Sequence, residues 1–263
     1  MTSETEESLQ IKIKSIKRRF LKMYHTANAG HIGSSLSCTE LLTLSKFFYM
    51  EAEDKLVLSK GHAAASLYSV LAEFGEISEE QIATFYKNNT TLPAHPPVNK
   101  YPSIPFATGS LGHGLSIAAG FGFSSKLAKS KRKTFCITSD GELNEGSTWE
   151  AALFIQQQQL TNVIWLIDRN RLQGFGSTEE VMQLEPLDQK LMSFGFEVVQ
   201  VNGHNVAELM ALKTTLLNTQ KPIAIIANTL KGNGWTNMEG KLGCHYLPMN
   251  DADYTLFEAS LSN

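Results

Sequence analysis

An α/β fold with a mainly parallel sheet and helices on both faces is what this sequence predicts. Strand-like and helix-like segments alternate through the second half of the chain, the pattern of successive βαβ units. Residues 162–168 are almost continuously apolar, as a strand buried on both faces must be. The 263 residues, 42% hydrophobic and 19% charged, suffice to bury such a core without disulfide or metal staples.

The elements follow in order. Ile13, Ile16, Phe20, Leu21 and Tyr24 recur at spacings of three and four, which predicts an amphipathic helix over 8–27. A glycine-rich turn, Ala29-Gly30-His31-Ile32-Gly33, follows it. Ser37 or Thr39 is then the expected cap of a helix through Leu41, Leu44 and Phe48. Residues 55–59 predict a short strand, and Gly61-His62 leads into a small-residue helix over 63–74. Ser78 with Glu80 and Gln81 marks a further helix start. Residues 91–106 predict a loop that buries little and holds Pro93, Pro96, Pro97, Pro102 and Pro105. A loop of that length in a compact domain is usually functional or disordered. Strands are expected over 133–138, 162–168, 196–201 and 222–230, with helices over 147–159, 187–194 and 206–217. No linker or compositional shift divides the chain, so residues 1–263 read as one domain.

Several function classes are disfavoured at once. The net charge is −3, with no basic surplus for nucleic acid or an anionic membrane. No apolar run approaches the roughly 18 residues that span a bilayer. The polar, acidic start lacks the pattern of a signal peptide. Three widely spaced cysteines (Cys38, Cys136 and Cys244) suggest neither a disulfide framework nor a zinc site, and a reducing cytoplasm is the expected location. Ile117 stands where a dinucleotide fingerprint needs its third glycine after Gly112-His113-Gly114, and there is no Walker-type Gly-Lys-Ser/Thr.

Ligands of an open parallel sheet bind outside the carboxyl ends of its strands. The segment after 133–138 holds Asp140 and Gly141, and that after 162–168 holds Asn170. Asp140 and Asn170 offer hard oxygen donors suited to Mg2+ or Ca2+. Two such side chains cannot fill an octahedral shell, so a phosphorylated ligand is implied. Gly141 permits close backbone approach, and the helix start near Ser147 adds free N–H groups. Asp-Gly after a strand is equally a common turn, and Asn is common in loops. It is the pairing at consecutive strand ends that raises the metal reading. Of the seven histidines, His31, His62, His95, His113 and His245 sit beside small or turn-forming residues, where imidazoles suit the handling of hydroxyls and phosphates. Any one of them also reads as an ordinary structural histidine, and His25 and His204 have only that reading.

Asp140-Gly141 followed by Asn170 thirty positions after Asp140 resembles the thiamine-diphosphate and Mg2+ motif. The surrounding sequence resembles the amino-terminal part of transketolases from about residue 10 onward. The matching stretches are Ala29-Gly30-His31-Ile32-Gly33, Leu58-Ser59-Lys60-Gly61-His62, Leu92-Pro93-Ala94-His95-Pro96 and Thr108-Gly109-Ser110-Leu111-Gly112-His113-Gly114. They continue through 140–146, Asp168-Arg169-Asn170-Arg171-Leu172-Gln173 and Leu230-Lys231-Gly232-Asn233-Gly234.

The resemblance implies the thiamine-diphosphate-binding (PP-type) fold and a role for each matching residue. Asp140, Asn170 and the main-chain oxygen of Leu172 would bind Mg2+, with Ca2+ as a possible substitute. His62, Gly141 and His245 would contact the diphosphate, and main chain at Gly109, Ser110 and Leu111 the aminopyrimidine. His31 and His245 would move protons and stabilise charge on the sugar hydroxyl. His95 would bind hydroxyls of a two-carbon fragment. The implied activity is transfer of a two-carbon ketol unit from a ketose, commonly phosphorylated, to an aldose.

A full transketolase is more than twice this long, and the resemblance covers only the diphosphate-binding half. The pyrimidine-binding half is expected on a separate chain, the two assembling as α2β2. One alternative is one half of a related thiamine-dependent ketol- or acyl-transferase with an unusual acceptor. Another is a non-catalytic cofactor-binding paralogue. Three positions depart from the family: Ser139 for glycine, Asn144 for glutamine, and Tyr246 for the glycine common after the histidine.

Overall fold

The computed structural model describes residues 4–261. Among them, five strands form one sheet in the order β1-β2-β3-β5-β4, every pair parallel. They are β1 (Lys55–Leu58), β2 (Thr134–Ser139), β3 (Val163–Arg169), β4 (Glu197–Asn202) and β5 (Ile223–Asn228). The predicted strands match these within two residues at each end. The α/β expectation therefore holds.

Alternation along the strands divides the core. Leu56, Leu58, Phe135, Ile137, Ile164, Leu166, Ile223 and Ile225 enter one apolar cluster, with helices α1 (Glu6–Ala27), α2 (Ile32–Leu44) and α3 (Ala64–Glu73). Val57, Cys136, Val163, Trp165, Ile167, Ala224 and Ile226 enter the other. A short helix, α4 (Glu79–Ile82), follows α3, and α5 (Gly114–Leu127) and α6 (Gly146–Gln157) cover that second face. The inner strands β2, β3 and β5 are thus sealed on both faces, which is why they are so apolar, whereas the edge strand β4 is only partly covered.

Helix α1 starts at Glu6, about two turns before Ile13, behind a capping box in which Thr5 and Ser8 exchange hydrogen bonds. Ser78 caps α4 with the same device through Gln81. Helix α2 differs from expectation. It begins at Ile32, straight after His31, and neither Ser37 nor Thr39 caps it. All thirteen of its residues are buried, so Ser37 bonds the buried Asp168 and Thr39 bonds back to the Ser35 carbonyl. Burial on every side removes the one-faced pattern that marks a helix start.

Helix α5 gives little helical signal of its own, being rich in glycine and small residues. Its glycines serve close packing instead. A Cβ on Gly114 would lie 2.2 Å from Ser59 Oγ, and one on Gly122 2.3 Å from Val163 Cγ2. The segment 91–106 contains turns only, yet Leu92, Tyr101 and Ile104 are buried anchors, so it buries more than its composition suggests. Beyond β3 lie α7 (Thr178–Val181) and α8 (Leu187–Ser193). The helix α9 (Val206–Asn218) links β4 to β5, and α10 (Gly243–Tyr246) and α11 (Asp251–Ser260) follow β5. No helix among the described residues is long and apolar enough to cross a membrane.

Candidate cofactor site at the strand ends

Parallel pairing of β2 and β3 sets Ser139 opposite Asp168, so the segments that follow both strands emerge side by side. Asp140 is fully buried. Its Oδ2 accepts from Arg169 Nη1 at 3.1 Å and from the Arg171 N–H at 2.5 Å, while Oδ1 has no hydrogen-bond partner. Burial, and then the nearby Asp168, push its carboxyl above the usual aspartate range. Asn170 is buried too, with Oδ1 accepting from the Leu172 N–H at 3.1 Å. Arg171 adopts a left-handed conformation at φ 67°, and a bridge between Leu172 and Ser177 closes a small hairpin. That hairpin turns the Leu172 carbonyl onto Lys231 Nζ at 2.8 Å.

Arg169 braces this hairpin. Its guanidinium also bonds Thr178, Glu179 and Glu185. The departures at 139 and 144 are absorbed locally. The Ser139 N–H donates to Glu142, and Asn144 Oδ1 accepts from Gln173 Nε2 at 2.5 Å. Gly141 faces only Gln173, at 3.4 Å from a built Cβ.

Three histidines stand together beside these groups. Ring centroids are 5.7 Å apart for His31 and His62, 5.1 Å for His31 and His245, and 5.8 Å for His62 and His245. His31 comes from the turn before α2, with φ 72°, and its N–H donates to the His245 carbonyl at 2.9 Å. His62 lies on the 3-10 turn after β1 and His245 on α10. Burial, with Lys231 next, holds His245 down at about 3. Burial, with Lys60 next, holds His62 well below the usual imidazole range, and burial lowers His31 likewise. All three are neutral at pH 7, and His245 Nδ1 has no partner.

The segment 108–113 arches over the ends of β1 and β2. A Cβ on Gly61 would meet Gly109 N at 2.8 Å, and one on Gly109 would meet His95 Cδ2 at 3.1 Å. His95 thus packs on Gly109, with Ser110 and Leu111 next along the same turn. Gly109 has φ 147° and Gly112 φ 79°, which other residues rarely adopt. Every predicted site residue therefore falls on the carboxyl side of the sheet. Asp140, Asn170 and Leu172 form one group, His31, His62 and His245 a second, and His95 with 109–111 a third.

Four further residues hold this arrangement and escape the motif reading. Lys60 and Asp168 are a fully buried ion pair beneath the site. Burial alone would raise the Asp168 carboxyl, but the Lys60 charge together with hydrogen bonds from Lys60, Ser37 and Thr229 outweighs it and holds it low. Ser37 Oγ donates to Asp168 at 2.6 Å, and Lys60 Nζ to the Ser34 carbonyl at 2.9 Å. Glu142 is fully buried and accepts from Ser59, from the Gly112 N–H at 3.0 Å and from the Ser139 N–H at 2.9 Å. It joins three segments in one carboxylate. Lys231 is nearly buried, and burial with the Lys60 charge lowers it to about 8. In the sequence, Lys60 and Lys231 are visible only as letters inside glycine motifs. Asp168 and Glu142 carry no signal beyond adjacency to Asn170 and Gly141.

The donors suit a hard cation. Among the described residues no group of three or more His, Cys, Asp and Glu side chains could hold a metal. One carboxylate oxygen left unbonded, one amide oxygen and one carbonyl form a different kind of set, which needs outside oxygens to complete it. Cys38, Cys136 and Cys244 are free and buried, and burial raises each thiol, so they read as inert.

Comparison with known proteins agrees with this layout. Residues 11–261 match the family described as "Transketolase, thiamine diphosphate binding domain". The chain is 37% identical over 256 residues to one of the named subunits of the apulose-4-phosphate transketolase of Actinobacillus succinogenes, covering 93% of each. It is 35% identical to the 6-deoxy-6-sulfo-D-fructose transketolase subunit SqwG of a Clostridium species, covering 95% of this chain and 94% of the relative. Human transketolase is 36% identical over 244 residues, but these are 39% of its length. Among solved structures, transketolase from Campylobacter jejuni superposes with a TM-score of 0.90 at 27% identity, covering 97% of this chain and 42% of that one. The chain therefore spans about two fifths of a whole-length transketolase and nearly all of the two relatives named as subunits, and it belongs to the transketolase family through its thiamine-diphosphate-binding domain.

Proposed function

We propose that the chain is the diphosphate-binding half of a two-chain transketolase, working in the cytoplasm with ketose phosphates such as those of pentose phosphate metabolism as donors and aldoses as acceptors. One observation carries this reading. Asp140 Oδ1 is buried without a partner at the end of β2, against the loop after β3 that carries Asn170 and Leu172, and three histidines cluster at the same end of the sheet.

In this reading Asp140, Asn170 and the Leu172 carbonyl hold Mg2+, or Ca2+ in its place. His62, the Gly141 backbone and His245 receive the diphosphate, and the 109–111 main chain receives the aminopyrimidine. When bound, thiamine diphosphate supplies the carbon nucleophile and electron sink that no side chain provides. The chain's own groups orient substrate and move protons. His31 and His245, neutral and adjacent, can accept a hydroxyl proton of the ketose and return it to the new hydroxyl after transfer. Their lowered affinity for protons keeps one lone pair free in each ring. His95 holds a hydroxyl of the two-carbon unit. Lys231 donates to the Leu172 carbonyl at 2.8 Å and would release that oxygen to a bound metal, leaving its charge available to an anionic ligand.

The groups that activate the aminopyrimidine are expected on a second chain carrying the pyrimidine-binding half, in an α2β2 assembly. The names of two full-length relatives specify subunits, which supports that division. Their sugars, apulose 4-phosphate and 6-deoxy-6-sulfo-D-fructose, make a hydroxylated ketose bearing an acidic group the donor class to test.

Calorimetric titration of the chain with thiamine diphosphate tests the reading. Binding is expected with Mg2+ and is expected to be lost with a chelator. Asp140→Ala is expected to weaken it at least about 100-fold. Equal binding with and without metal would contradict the site.

A further inference from the structure

Tyr246 stands at the rim of the histidine cluster, and none of the roles above uses it. Its side chain is half exposed, at 51%. The ring meets His245 edge-on, centroids 4.5 Å apart, and lies 6.4 Å from His31. Its hydroxyl reaches from α10 to the hairpin after β3, donating to the Gly174 carbonyl at 2.8 Å. Its backbone presses on Gly30, where a Cβ would come within 2.2 Å of the Tyr246 carbonyl oxygen. On the hairpin side, a Cβ on Gly174 would come within 2.3 Å of the phenol oxygen.

The ring is therefore fixed at both ends. The backbone is seated on Gly30 and the hydroxyl on Gly174, both glycines leaving only the room the tyrosine takes. A ring that merely filled space would be buried or free to turn. This one is half open to solvent, tied at its hydroxyl, and set edge-on against His245 with His31 beyond it. Any molecule whose hydroxyls reach His31 and His245 from that side must pass its face. Rigid aromatic walls of this sort select by length and shape, because a chain that does not fit has no side chain to push aside.

We propose that Tyr246 is a specificity-determining residue: it narrows the approach to His31 and His245 and, among aldose acceptors, favours short ones over extended sugar phosphates. The inference rests on the ketol-transfer reading above and adds which acceptor that site prefers.

The test uses this chain in complex with its partner, with thiamine diphosphate and Mg2+. Hydroxypyruvate serves as donor, and glycolaldehyde and ribose 5-phosphate as competing acceptors. Tyr246→Gly is expected to raise kcat/KM for ribose 5-phosphate relative to glycolaldehyde by about tenfold or more, mainly through KM. Tyr246→Phe keeps the ring and is expected to keep the wild-type ratio. Tyr246→Leu is expected to fall between them. An unchanged ratio in Tyr246→Gly, with glycolaldehyde still turned over, overturns the inference. Should the glycine variant fail to assemble, a wild-type ratio in Tyr246→Leu overturns it equally. A wild-type complex that transfers to neither acceptor overturns instead the ketol-transfer reading, and the role of Tyr246 with it.

Discussion

Asp140 holds two kinds of oxygen in one carboxylate. Oδ2 is bonded to Arg169 and to the Arg171 N–H, and Oδ1 is buried with no partner. Its raised proton affinity means that the metal-free fold loses stability as pH rises through the pKa of the folded state. Asp140→Asn removes that cost and keeps an oxygen for the Arg171 N–H. The expected outcome is a melting temperature no lower than wild type without ligands, together with loss of Mg2+-dependent thiamine diphosphate binding. Differential scanning fluorimetry with and without ligands checks both. A large fall in the ligand-free melting temperature would make Asp140 a structural residue. At this scale the grouping of Asp140, Asn170, His31, His62 and His245 at the strand ends was legible, because each sits in a short motif at an element boundary. Lys60, Asp168, Glu142 and Lys231 were not legible, since a buried ion pair is defined by its partner and 108 positions separate Lys60 from Asp168.

At the scale of elements, Glu40 on α2 ties three parts of the fold. It accepts from Lys17 of α1 at 2.8 Å and from His204, in the turn before α9, at 3.2 Å. Burial alone would raise this carboxyl, but Lys17 and then His204 outweigh it and hold it down at about 2. A depressed carboxyl adds stability above the unfolded pKa and loses it as pH falls toward the folded value. The amount is on the order of 3 kcal/mol. Glu40→Gln is expected to lower stability by about 2–3 kcal/mol near neutral pH and to flatten the decline between about pH 4 and 2. Urea midpoints across that range measure it, and parallel pH curves for both proteins would dismiss the network.

Helix α5 supplies a second contrast. Gly114→Ala drives a methyl group onto Ser59 and is expected to cost about 1–3 kcal/mol. Gly120→Ala meets nothing within 4 Å and is expected to stabilise by up to about 1 kcal/mol. The same glycine content that suits α5 to its place hid it from periodicity, as full burial hid the start of α2. Strands and one-faced helices such as α1 were legible because their patterns are one-dimensional, whereas close approach between elements is not written in spacing.

For the whole molecule, the parallel sheet collects its chemistry at one edge and leaves apolar groups near it uncovered. Phe175, at the tip of the hairpin after β3, is 85% exposed, and Met182 beyond α7 is 61% exposed. A partner that completes the site has that surface to cover, and single exposed aromatics at such a position are frequent binding anchors. Phe175→Ser is expected to weaken association with the second chain at least about tenfold while leaving thiamine diphosphate binding by this chain in place. Analytical ultracentrifugation with calorimetry separates the two effects, and unchanged association would move the interface elsewhere.

The division of the cofactor site between two chains is the central claim, and native mass spectrometry tests it most directly. The chain would be purified gently from its own source with thiamine diphosphate and Mg2+ present. The account predicts a complex with a second, different chain carrying about one cofactor per pair. A homo-oligomer of this chain alone, without cofactor, would contradict it.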